Sequence, residues 1–147
     1  MISAQDVEEQ NDVLFQENSR NINRLEIQEP FYQLPIKGCT NLNVATFEGG
    51  VSAYKKLLSK YMYNYLNSDL YRLNGDFSFT LTIDENGKIT DLKCSPNIPN
   101  SKFFFDDMEY IFRRIRKNWS PATCNGKPIS SQIKIKIKFS SMSVDID

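Results

Sequence analysis

NWSPATCNGKPISSQIKIKIKF, residues 118–139, is the stretch from which the fold can be read outward. Trp119 and Pro121 lead into Asn125-Gly126, a pair that tolerates the positive φ of a tight turn. After the turn, Ile133, Ile135, Ile137 and Phe139 alternate with Lys134, Lys136 and Lys138. That period of two belongs to a strand with one face buried and the other in water. Three lysines along one strand face admit two readings. They shield a sheet edge from unwanted pairing, or they offer that edge to a partner.

Upstream, Phe77, Phe79, Leu81 and Ile83 alternate with Ser78, Thr80 and Thr82, a second half-buried strand. Asp84-Glu85-Asn86-Gly87 supplies a turn and residues 88–94 return. The return slips phase, Ile89 against Leu92 and Cys94, which predicts a bulge near Thr90. Two helices flank this hairpin. In FEGGVSAYKKLLSKYMYNYL, Val51, Tyr54, Leu58, Tyr61 and Tyr65 form one stripe with Leu57 and Met62. An aromatic stripe of this kind is the ordinary mark of a buried face. Residues 101–118 place Phe104, Met108, Ile111, Phe112 and Ile115 on one face, continued by Trp119 and ended by Pro121. Asp106, Asp107 and Glu109 lie early in it and Arg113, Arg114, Arg116 and Lys117 late, as the helix dipole favours.

These elements predict an α+β fold: a three-stranded antiparallel sheet with two helices packed on one face, in the order helix-β-β-helix-β. The second helix is long enough to cross the sheet, so the lysine strand lies antiparallel beside the first strand, at an edge. We divide the chain into a polar segment 1–44, partly extended or disordered, a domain 45–140 and a polar tail 141–147. Within the first segment, residues 28–43 carry Pro30 and Pro35 among Phe31, Tyr32, Leu34 and Ile36, an extended run expected to lie against the domain.

Charge sharpens the picture. The net charge is zero, which argues against a general nucleic-acid binder. Acids dominate the first thirty residues, whereas none occurs from Phe112 to Phe139. That basic end attracts an acidic peptide or, equally, the chain's own N-terminus. The three cysteines show no CxxC spacing and histidine is absent, so zinc sites and imidazole-based catalysis are excluded, and no cofactor is expected. One disulfide among Cys39, Cys94 and Cys124 suits an oxidising compartment, with free thiols as the alternative. Gly49-Gly50 reads as a helix start and not as a phosphate cradle. No apolar run is long enough to span a bilayer. The opening MISAQ has the small residues of a cleaved signal peptide's end, and export is expected.

FEGGVSAYKKLLSK, then FSFTLTIDENGKITDLK, then NWSPATCNGKPISSQIKIKIKF, in this order and spacing, resemble the C-terminal domain of TonB, the energy transducer of the Gram-negative envelope. The resemblance covers about residues 46–139 and rests on Gly49-Gly50, Asn86-Gly87-Lys88, Trp119, Pro121, Ala122 and Asn125-Gly126-Lys127-Pro128. It implies a non-enzymatic periplasmic protein-binding module. Its last strand adds an extended peptide, the Ton box of an outer-membrane receptor. The matching positions here are Ser130, Ser131, Gln132, Ile133, Lys134, Ile135, Lys136, Ile137 and Lys138. The family's membrane anchor, proline-rich spacer and Tyr-Pro element before the first strand find no match, so we expect a stand-alone TonB-like domain. The alternative is an envelope assembly protein forming a homodimer through the same edge.

Overall fold

The structure is a computed structural model that describes residues 12–15, 20–66, 71–97, 101–115 and 119–144. The leader-like start at 1–5, acidic residues 6–9, residues 116–118 of the expected second helix and the tail end 145–147 lie outside the described residues. In chain order the elements are β1 (Asp12–Phe15), β2 (Arg20–Ile27), β3 (Tyr32–Gln33), β4 (Leu42–Asn43), β5 (Thr46–Phe47), α1 (Gly50–Tyr65) and β6 (Tyr71–Ile83). Then follow β7 (Ile89–Ser95), α2 (Lys102–Arg114), β8 (Trp119–Ser120), β9 (Ala122–Cys124), β10 (Lys127–Ile129) and β11 (Ser131–Val144).

The chain is α+β, with two helices and antiparallel sheets, but its main sheet has six strands and not three. Strand β11 pairs along β6 from Ser131 opposite Ile83 to Phe139 opposite Gly75. On the far side of β6 lie β7 and, further along, β1. On the far side of β11 lie β2 and β3. The lysine strand is therefore interior to the sheet, which corrects the expectation that it is an edge. The physical reason is that residues 20–34 supply the backbone groups that β11 would otherwise leave open. Two small sheets complete the fold, β10-β9-β4 and β5-β8.

Alternation decides which face is buried. Phe77, Phe79, Leu81 and Ile83 of β6 and Ile133, Ile135, Ile137 and Phe139 of β11 all point into one core. Against them α1 brings Tyr54, Leu58 and Met62, and α2 brings Phe104, Met108, Ile111 and Phe112. Phe104 sits at the centre, edge-on to Phe77 at 5.2 Å and to Phe139 at 5.4 Å between ring centroids, the geometry that ring quadrupoles favour. The register of β7 shifts so that Thr82 faces Asp91 while Ile83 faces Ile89, and Thr90 is the extra residue. The bulge restores Ile89 to the core side.

Helix α2 stops at Arg114, earlier than its apolar stripe suggests. Trp119 belongs instead to β8, opposite Phe47 of β5, because burial against the Phe47 and Tyr54 rings outweighs continuation of the helix. Nor do acids occupy the first turn of α2. Asp106 pairs with Lys102 and Glu109 with Arg113 at i,i+4 spacing, exposed pairs worth about 0.3–0.5 kcal/mol each. Among the described residues no helix is long and apolar enough to cross a membrane.

Candidate functional site

The positions singled out in the sequence, 130–138, run from the β10-β11 connection along most of β11, and from Ser131 onward each is paired with β6. Lys138 stands opposite Glu26 and Ile137 opposite Ile27 in β2. Lys134 stands opposite Tyr32 and Ile133 opposite Gln33 in β3. Between these two ladders the Gln28 N–H donates to the Lys136 carbonyl at 2.9 Å. Beyond β3 the Leu34 N–H donates to the Gln132 carbonyl, also at 2.9 Å. Residues 20–34 thus form a strap along β11. Its register slips by two residues between β2 and β3, so that Glu29, Pro30 and Phe31 together stand against Ile135.

Side chains hold the strap as well. Ile27 is buried in the core, and Phe31 meets the Tyr54 ring edge-on at 5.8 Å. Glu29 reaches Lys55 of α1 at 3.2 Å, a half-exposed pair of small value. Downstream, Cys39 forms a disulfide with Cys124, Leu42 pairs with Cys124, and the Asn125 N–H donates to the Asn41 carbonyl. Asn125 at φ 51 and Gly126 at φ 85 make the two-residue turn that presents Cys124, so the pairing left open by the sequence is set by the β9-β10 hairpin.

The open face of the sheet carries the lysines. Across it Lys134 neighbours Thr80, which neighbours Lys93, and Lys136 neighbours Ser78 and then Ser95. Lys138 lies between Asp76 and Glu26. Among the described residues Lys134, Lys136 and Lys138 form no ion pair. The Lys136 ammonium instead lies 5.2 Å from the centroid of the Tyr32 ring. Positive charge therefore concentrates at Lys93, Lys134 and Lys136, with hydroxyls between them and carboxylates only at the margins.

The chain was compared with family models, curated proteins and solved structures. None matches.

A cavity of about 190 Å³ opens where the strap meets α1 and β8, lined by Phe31, Gln33, Phe47, Val51, Tyr54 and Trp119 among others. Its wall holds three buried polar atoms without a partner, the Tyr54 hydroxyl, the Trp119 Nε1 and the Gln33 Oε1. Burial pushes the Tyr54 hydroxyl far above the ordinary tyrosine range, so it stays protonated. Replacing a buried, unpartnered hydroxyl removes a desolvation penalty. Tyr54→Phe should hold stability level or raise it by up to about 1 kcal/mol in urea unfolding; a loss beyond about 1 kcal/mol would reveal a bound partner for the hydroxyl. The periodicities used above carry no signal for this aromatic group, because Phe31, Phe47 and Trp119 come from three separate short segments.

Cys94 faces the core side of β7 beside Phe79 and is free. Burial pushes its thiol up to about 12 from 9.0. The thiolate fraction near neutral pH is thus about three orders of magnitude below that of an open cysteine. Alkylation of the oxidised protein at pH 8 should be correspondingly slow and should quicken as pH rises; modification at the rate of a free thiol would refute the burial. Cys94 is therefore a poor nucleophile in the folded chain.

Proposed function

We propose that this chain is a periplasmic protein-interaction module of TonB C-terminal type, which binds an extended peptide of an envelope or outer-membrane receptor protein by strand addition to β11. Its setting is TonB-dependent transport and its role is binding without catalysis. The observation that carries this reading is the strap itself. An extended, antiparallel segment already lies along the edge of β11 from Gln132 to Val144, held by a ladder of the kind a peptide ligand forms. The same edge that takes residues 20–34 takes a peptide when the strap gives way. Backbone hydrogen bonds then supply affinity, and the lysine face steers acidic partners. The order helix, hairpin, helix, strand adds to this support.

The test is an NMR titration of the labelled, oxidised full chain with Ton-box peptides from receptors of the same genome. Strand exchange predicts shifts at 130–138 together with loss of the β2 and β3 ladder at 24–34. Absence of shifts at millimolar peptide would reject the reading. Weakening the strap should help the ligand. Glu26→Lys sets like charges opposite each other at Lys138, a cross-strand pair that is destabilising by about 0.2–1 kcal/mol, and peptide affinity should rise accordingly. An unchanged affinity would mean that ligand and strap do not compete.

A second reading follows from the same strap. A strand that is donated within one chain can be donated between two, which makes this edge a route to a strand-exchanged homodimer in an envelope assembly. Sedimentation across micromolar to millimolar concentration separates the two: a monomer throughout removes the second reading.

A further inference from the structure

The strap fits β11 well at one end and poorly at the other. From Arg24 to Ile27 the match is regular. Ile27 lies opposite Ile137 and Leu25 opposite Phe139 on the core side, while Glu26 lies opposite Lys138 and Arg24 opposite Ser140 on the open side. From Gln28 to Gln33 the match fails in three respects. The register slips by two residues. Gln33, opposite Ile133, leaves its Oε1 buried without a partner although its Nε2 donates to the Gln132 carbonyl. Lys134 and Lys136 receive an aromatic ring and no carboxylate.

We propose that the partner is an extended segment in which acidic and apolar residues alternate, with carboxylates opposite Lys134 and Lys136 and apolar side chains opposite Ile133 and Ile135. This rests on the strand-addition reading and specifies its ligand. The spacing suits the pattern. Alternate residues of a strand stand roughly 6.8 Å apart on one face, so acids at i and i+2 meet both lysines. An apolar residue opposite Ile133 would remove the buried acceptor that Gln33 leaves unsatisfied. A ligand that displaces the strap therefore gains most over its irregular half, residues 28–33, and least over 24–27.

The experiment uses three seven-residue peptides titrated into the oxidised full chain: alternating Val-Glu, alternating Val-Gln and alternating Val-Lys. Two added cross-strand ion pairs should make the Glu peptide about 2- to 30-fold tighter than the Gln peptide, and the Lys peptide weakest. The preference should shrink as salt is raised, since both lysine positions face water. In Lys134→Glu/Lys136→Glu, whose sites lie on the open face, the order should reverse; the amide spectrum of the free variant confirms its fold. Equal binding of the Glu and Gln peptides overturns this inference and leaves strand addition standing. Failure of all three to shift 130–138 overturns strand addition, and this inference with it.

Discussion

Removing the Cys39–Cys124 disulfide lowers the unfolding free energy by about 4–5 kcal/mol, the largest loss expected of any change considered for this chain. The two cysteines are 85 residues apart, and the loop they close contains both helices and the β6-β7 hairpin. Loop-closure entropy grows only logarithmically, yet a loop of this length lies near the upper end of what a crosslink withholds from the unfolded chain. The short ladders that surround the bond are weak by themselves. Strand β4 contributes two residues and β9 three, so little else fixes the end of the strap once the link is gone. The comparison is oxidised wild type against Cys39→Ala/Cys124→Ala in urea, read by far-UV dichroism. A loss below about 1 kcal/mol would mean that the unfolded chain stays compact without the link.

Gly87→Ala should cost about 3 kcal/mol or more, for two separable reasons. Gly87 holds φ at +79°, which an L residue enters at about 1–2 kcal/mol. Its turn is tightly built. The Asp84 carboxylate accepts from the N–H groups of Asn86 and Lys88, and the Gly87 N–H donates to the Asp84 carbonyl at 3.0 Å. In addition, a Cβ at this position would overlap the backbone carbonyl of Trp119. Relief would require moving β8, and with it the Trp119 ring, which meets Phe47 edge-on and Tyr54 at a tilt. Gly126→Ala is the control, since Gly126 has φ +85° but open space around it, and should cost only about 1–2 kcal/mol. Equal losses in the two variants would show that the contact with Trp119 carries no weight.

The parts of this fold that were legible in the sequence are those whose period persists. Helix α1, the β6-β7 hairpin and the alternating half of β11 each repeat their pattern long enough to be read, and Thr90 marked its own bulge by breaking one. What escaped was set by distant pairing. Tyr71 to Asp76 contain Asn74-Gly75-Asp76, the composition of a turn, yet they extend β6 because β1 and the end of β11 pair with them. In β2 only Leu25 and Ile27 keep the alternation with Arg24 and Glu26, and Ile22 breaks it. Strands β3, β4, β5 and β8 have two residues each, too few for any period. The charge asymmetry held little clue to the strap, since residues 20–34 balance Arg20 and Arg24 against Glu26 and Glu29, and only Glu26 stands opposite a β11 lysine. Opposite charge alone could not say whether the acid came from this chain or another. Trp119 was assigned to α2 because apolar spacing alone does not register that the helix ends at Arg114.

The disulfide has one more consequence for the strap. A displaced strap does not leave; it remains tied at Cys39 on one side of the sheet, and its effective concentration at the edge of β11 is of millimolar order. On the proposed strand addition, any ligand would be judged against a competitor that never dilutes. Occupancy would then have a threshold set by the chain itself, below which chance peptides of similar pattern would be turned away. Release of that ligand would leave the edge to the tethered strap or to a second copy, and the tether favours the strap at low protein concentration.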